Sequence, residues 1–180
     1  VYKRQAMAVN TTGNFNTAMG DSALGANTTA NDNAAFGQSA LISNTTGASN
    51  VGIGREALRS NTTASANTAV GYQAAYSNTT GNEIVAIGYR ALYTNSTGVG
   101  HTAVGLNALN ANSTGNYNTA IGDAALQNNT TASYHTAVGY QALYTQNGSA
   151  GGASAFGYQA GYSYYNTGSE STSSLFVGYR

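Results

Sequence analysis

The sequence predicts a β-solenoid, a parallel β-roll or β-helix-like fold of 17-residue coils. Three observations carry that prediction. A glycine recurs in constant 17-residue steps at Gly20, Gly37, Gly54, Gly71, Gly88, Gly105, Gly122 and Gly139. Apolar residues hold fixed phase with it, which means that each repeat stacks on its neighbour and shares one core. The chain is nearly free of charge: charged residues make up 7% of 180 residues, against about 25% in a typical soluble domain.

Each element of the coil follows from its column, numbered from the anchor glycine. The segment before the glycine, such as Thr68-Ala69-Val70, is short, β-branched and alternating, and predicts a strand. Position −1 is always large and apolar, from Met19 and Phe36 to Phe156 and Val177. Position −2 is Ala or Gly until Phe176. The expectation is that −1 faces the core together with +3, which is alanine throughout, and +4, which is mostly leucine. The small −2 residue then faces the other side. Positions +1 to +4 read Asp-Ser-Ala-Leu, Arg-Glu-Ala-Leu or Tyr-Gln-Ala-Leu, where helix formers dominate and none is β-branched. They predict a helical or 3₁₀ turn, with a second strand as the alternative. The Asn-Thr-Thr-Gly run from +7 predicts a turn. It also spells the N-glycosylation acceptor, though recurrence in phase with the fold favours turn chemistry.

The strict period covers residues 1–147; residues 148–180 are expected to continue the same solenoid with longer loops, because the steps to Gly157 and Gly178 are 18 and 21. Those loops, around Gly148–Gly152 and Tyr162–Ser174, are expected to exchange amide hydrogens faster than the regular coils. The chain opens and closes inside a repeat and reads as a piece of a longer array. Three modest core side chains per coil stand against the backbone entropy of a whole repeat, so several chains packed side by side are expected. Ten coils at about 4.8 Å make a rod of about 50 Å.

Val85-Ala86-Ile87-Gly88 and its kin resemble the Val-Ala-Ile-Gly repeats of trimeric autotransporter adhesin heads. The phrase Asn-Thr-Ala-Val-Gly-Tyr-Gln-Ala-Leu-Tyr with Asn-Thr-Thr-Gly is similar to repeats of bacteriophage tail fibres, and this likeness covers nearly the whole chain. The resemblance implies a fibrous, homotrimeric rod at the virion surface or outside a cell. It would serve host attachment through a cell-surface glycan or protein. A bacterial surface adhesin or self-assembling extracellular filament is the alternative, and an ice-binding solenoid with a threonine array at +8 and +9 the lesser one.

Chemistry-bearing residues are few. Six basic residues balance six acidic ones, so nothing points to nucleic acid. Cysteine is absent, which excludes disulfides and thiolate sites. No apolar run approaches the ~20 residues of a membrane span, and no membrane insertion is expected. His101 and His135 share a column two coils apart, too far for one metal, and read as polar substitutions on a turn. Asp21 and Asp123 share a column six coils apart and make no acid–base pair. Glu56 beside Arg55 and Arg59 reads as a surface ion pair. No catalytic residue, cofactor site or metal site is assigned, and no enzyme is expected. The candidate contact residues are Tyr72, Tyr76, Tyr89, Tyr93, Tyr140, Tyr144, Tyr158 and Tyr162, at +1 and +5. On a helical turn these would form one aromatic stripe, with Tyr164, Tyr165 and Tyr179 near its end. Such a stripe suits a saccharide or partner; packing between chains is the preferred reading.

Overall fold

The computed structural model describes residues 5–146, 152–164 and 173–180. It is a parallel β-solenoid. Ten strands follow the chain: β1 (Thr17–Met19), β2 (Ala34–Phe36), β3 (Val51–Ile53), β4 (Thr68–Val70), β5 (Val85–Ile87), β6 (Thr102–Val104), β7 (Thr119–Ile121), β8 (Thr136–Val138), β9 (Ala153–Phe156) and β10 (Ser174–Val177). They form one sheet in sequence order, each strand parallel to the next. From β1 to β8 every partner lies one full repeat further along the chain, as in Ala69↔Ala86. The later steps, Thr136↔Ser154 and Ser174↔Ala153, are 18 and 21, so β9 and β10 stay in the same sheet. The segments that absorb the extra residues, with most of the loops expected around 148–152 and 162–174, lie outside the described residues.

The strand's inward face is the reverse of the one expected. The −2 alanines, Ala35, Ala69, Ala86, Ala103, Ala120 and Ala137, are 0% exposed. The −1 residues point outward: Met19 is 65% exposed and Ile53, Ile87 and Ile121 about 40%. Interior volume explains the inversion. One coil must already hold the +3 alanine, the +4 leucine and two asparagine columns, and a methyl is what still fits at −2. The remaining expectation holds, since Ala74, Ala91, Leu92 and Leu109 belong to one apolar cluster that runs along the axis.

No helix or 3₁₀ segment forms after the glycine among the described residues. Instead φ is positive at both +2 and +4, for example Ser39 at 59° and Leu41 at 52°. Two left-handed residues with one between them cannot continue a right-handed helix. The backbone groups are spent between coils. Leu24 N–H donates to Ala40 C=O at 3.0 Å, and Ser39 N–H to Asp21 C=O at 2.8 Å. Within the coil only β-turn bonds remain, such as Ala23 N–H to Gly20 C=O at 3.3 Å. The anchor glycine is obligatory. Its φ lies between 125° and 137° in these coils, and a Cβ at Gly71 would run into the Gly88 carbonyl.

The Asn-Thr-Thr run is a turn whose asparagine is core. Asn27, Asn44, Asn61, Asn78, Asn95, Asn112 and Asn129 are fully buried. Each side-chain amide donates to the Oδ1 of the asparagine one coil back, as Asn78 to Asn61 at 3.1 Å and Asn95 to Asn78 at 2.8 Å. The same amide donates to the carbonyl three residues on, as Asn78 to Gly81 at 2.9 Å. Burial of these asparagines closes them to glycosylation in the folded chain. The +8 hydroxyls are committed too: Thr79 Oγ1 donates to Ser96 C=O at 2.8 Å. The +9 threonines, such as Thr63 and Thr80, remain exposed.

Candidate functional site

In-register stacking sets each side chain above its counterpart at one coil spacing. The tyrosine columns therefore become ring stacks. Tyr72 lies on Tyr89 with centroids 5.3 Å apart and planes 14° apart. Tyr76 lies on Tyr93 at 5.1 Å, Tyr140 on Tyr158 at 5.1 Å and Tyr144 on Tyr162 at 5.0 Å. Tyr179 extends the second group, 4.9 Å from Tyr158. Tyr164 leaves the stripe and packs instead on Phe176, and Tyr165 lies outside the described residues. The eight tyrosines thus form two patches, separated by the coils of Leu106 and Asp123.

The +1 and +5 columns flank a polar column at +2, because the turn is not a helix. In the first patch Gln73 Nε2 donates to Glu56 Oε2 at 2.8 Å, and Arg90 Nε donates to Gln73 Oε1 at 2.9 Å. The Arg90 guanidinium sits over Tyr89 and Tyr93, at 5.5 and 5.0 Å. Arg55 and Arg59 lie over the opposite ends of the two stacks, at 5.9 Å from Tyr72 and 5.4 Å from Tyr76. Glu56 does pair with Arg59, at 4.0 Å. Ring faces in this patch are taken by rings and guanidinium groups, each such contact worth about 0.5–1.5 kcal/mol. What the patch offers outward is ring edges, phenol hydroxyls and the heads of the +1 and +2 side chains. That set suits hydrogen bonding more than stacking.

A second exposed pair has no cue in its residue column. Tyr117 and Tyr134, at −5, stack at 5.5 Å and are 52% and 66% exposed. Their column also holds Phe15, Asp32, Ser49, Ala66, Glu83 and Gly100, so no residue type flags it and sequence reasoning misses the pair. The one-repeat spacing of the two tyrosines is the signal that could have found them.

His101 and His135 are not on a surface turn. They replace asparagine in a second buried ladder at −4, where Asn67 N–H donates to Asn50 Oδ1 at 3.0 Å and Asn67 Nδ2 to Gly81 C=O at 3.0 Å. The imidazole copies that pattern. His101 Nδ1 accepts the Asn118 N–H at 3.3 Å, and His135 Nδ1 accepts the Ala153 N–H at 2.8 Å. A neutral ring accepting at Nδ1 carries its proton on Nε2, which in His101 faces the Gly115 carbonyl. The Asn112 amide, 3.2 Å from that nitrogen, is then a neighbouring donor already bonded to Asn95 and Gly115. Burial pushes both histidines down to about 4, against the smaller opposing effect of their backbone hydrogen bonds.

No group of three or more metal-ligating side chains occurs among the described residues. No helix there is long and apolar enough to cross a membrane. Comparison with known proteins found no matching family model, no matching curated protein and no matching solved structure. The geometry stands on its own terms: a β-solenoid repeat protein with two tyrosine patches and an uncharged outer strand face whose −1 column is apolar.

Proposed function

We propose that the chain is a structural and adhesive repeat segment of an extended extracellular fibre, foremost a phage tail fibre. It would hold a receptor-binding part away from the particle during host attachment. The observation that supports this is the unbroken ladder: one hydrogen-bond pattern repeats from coil to coil through strand, turn and core asparagine. A fold that spends its polar core groups on the axial stack is built for length. The fibre is a homotrimer in this reading, with a host glycan or protein as partner and the tyrosine patches as secondary contacts. A bacterial surface adhesin or self-assembling filament shares the same rod and differs in its anchor.

Immunogold labelling with antibodies to this segment, on the native full-length protein in its source, tests the proposal. Label along filaments of virions or cell surfaces is expected. Label confined to the cell interior would overturn it. An ice-binding solenoid is the lesser alternative. In its favour are the outward threonines Thr102, Thr119 and Thr136 on consecutive strands; against it, Ala34, Val51 and Val85 break the row. Thermal hysteresis at high concentration would establish it.

A further inference from the structure

We infer that the outer face of the ten-stranded sheet, formed by the −3 and −1 side chains, is the surface on which further copies of this chain pack. The inference deepens the fibre reading and rests on it for the side-by-side alignment of copies.

The face is uncharged, and one of its two outward columns is wholly apolar. Every −1 residue is Val, Ile, Phe or Met, whereas the −3 column mixes Val51, Val85 and Leu175 with threonines such as Thr68, Thr102 and Thr119. None of the outward strand residues is charged. The equally outward +9 column, by contrast, is Thr throughout the regular coils. Large apolar residues at −1 do no work in the coil's own core, where the −2 alanine takes the inward place. With ten strands at about 4.8 Å and a width of about 10 Å, the strip covers roughly 450 Å². Its −1 column is a continuous apolar ridge, exposed at Met19, Ile53, Ile87, Ile121, Phe156 and Val177, and exposed apolar surface that runs unbroken marks contact sites. Two strips face to face bury about 900 Å², close to the ~1,000 Å² of a specific contact before any rim is counted.

The axial period selects the occupant. A partner must present apolar groups at the solenoid's own spacing along ten strands. A second copy does so by construction, and a cyclic arrangement repeats one contact at every level. Net charge is zero, so copies do not repel.

Two measurements on the chain test this. The first is its mass in solution by light scattering, for the wild type, for Val70→Lys/Val104→Lys on the face, and for Thr63→Lys/Thr97→Lys on the +9 column. An oligomer is expected for the wild type and the +9 variant, and a shift to monomer for the face variant. A monomeric wild type overturns the inference and leaves the face to another partner or to ordered water. The second measurement keeps the test sharp if the lysines prevent folding. The chain has no cysteine, so Val104→Cys introduces a single thiol in mid-face. Under mild oxidation it should form covalent dimers efficiently, and Thr97→Cys should not. An oligomer that cross-links no better at Val104→Cys than at Thr97→Cys overturns the face while leaving the fibre standing. Intracellular immunogold label would remove the fibre reading and leave the face intact.

Discussion

His101 and His135 show how a residue reads differently once its column is known. Each looks like a polar substitution, yet the imidazole reproduces the acceptor and donor of the asparagine it replaces. The substitution makes stability depend on pH. Both rings are held neutral, near 4 against an ordinary 6.5. The unfolded chain therefore binds more protons between those values, and stability falls as pH drops through that window. The slope is about 1.4 kcal/mol per pH unit per histidine, with full stability above about pH 6.5. The urea midpoint should fall from pH 7 to pH 5, and His101→Asn/His135→Asn should remove most of that fall. An equal drop in the double variant would exclude the histidines as its cause. The partners in contact with His101 are amides and carbonyls, with no carboxylate among them.

Ala75 and Ile84 make a second pair at this scale. Ala75 stands where neighbouring coils carry leucine, and on sequence alone it underfills the core. Ile84 stands in the same coil at the asparagine position of the −4 ladder and belongs to the apolar cluster. Both side chains belong to that one cluster, so the added aliphatic volume of Ile84 is the expected compensation for the leucine atoms missing at Ala75. Ala75→Leu alone should cost about 1–3 kcal/mol by overpacking. Ile84→Asn added to it should recover much of that cost, because the coil then matches its neighbours. Strictly additive losses in denaturant titrations would break the link between the two sites.

The elements are partly legible in the sequence. Strand, glycine pivot and turn follow from columns that keep one period as far as Gly139. Two features do not. The alternation of Thr68-Ala69-Val70 marks two faces without saying which is inside, and hydropathy alone favours the valine. The decision rests on interior volume, which is set by the whole coil and which only a small residue, alanine or Gly52, satisfies in the regular coils. Helix propensity at +1 to +4 is likewise real but overridden, because those N–H and C=O groups bond to neighbouring coils before any i→i−4 bond can form. The tyrosines are visible by type, whereas their stacking depends on the register. Tyr117 and Tyr134 lie in a column of mixed chemistry and give no such cue.

The left-handed positions yield a prediction that runs against the usual rule. Ala66 is exposed with φ at 58°, a region that costs a non-glycine residue about 1–2 kcal/mol. Ala66→Gly should therefore stabilise by up to about 1 kcal/mol, less what the looser unfolded chain gives back. Gly71→Ala should lose on the order of 3 kcal/mol, from strain and from contact with the Gly88 carbonyl. Thermal or urea unfolding of the two variants gives both signs. A destabilising Ala66→Gly would mean that the −5 backbone is not left-handed.

At the scale of the whole molecule the axial stack and the lateral face do different jobs. Ladders of backbone, asparagine and tyrosine bind coil to coil. The outward −1 column plays no part in that stack and is the surface proposed for binding rod to rod. The axial stack is the central claim, and paired spin labels test it directly. Thr63 and Thr80 are exposed, one repeat apart in sequence and one coil apart in space; Arg55 and Thr63 are exposed within a single coil, on either side of the buried Ala57, Leu58 and Asn61. In Thr63→Cys/Thr80→Cys, labels about 5 Å apart at the backbone should broaden each other's resonance spectra strongly. In Arg55→Cys/Thr63→Cys the lines should stay sharp. Sharp lines from the pair one repeat apart, with broadening from the pair within one coil, would contradict the solenoid.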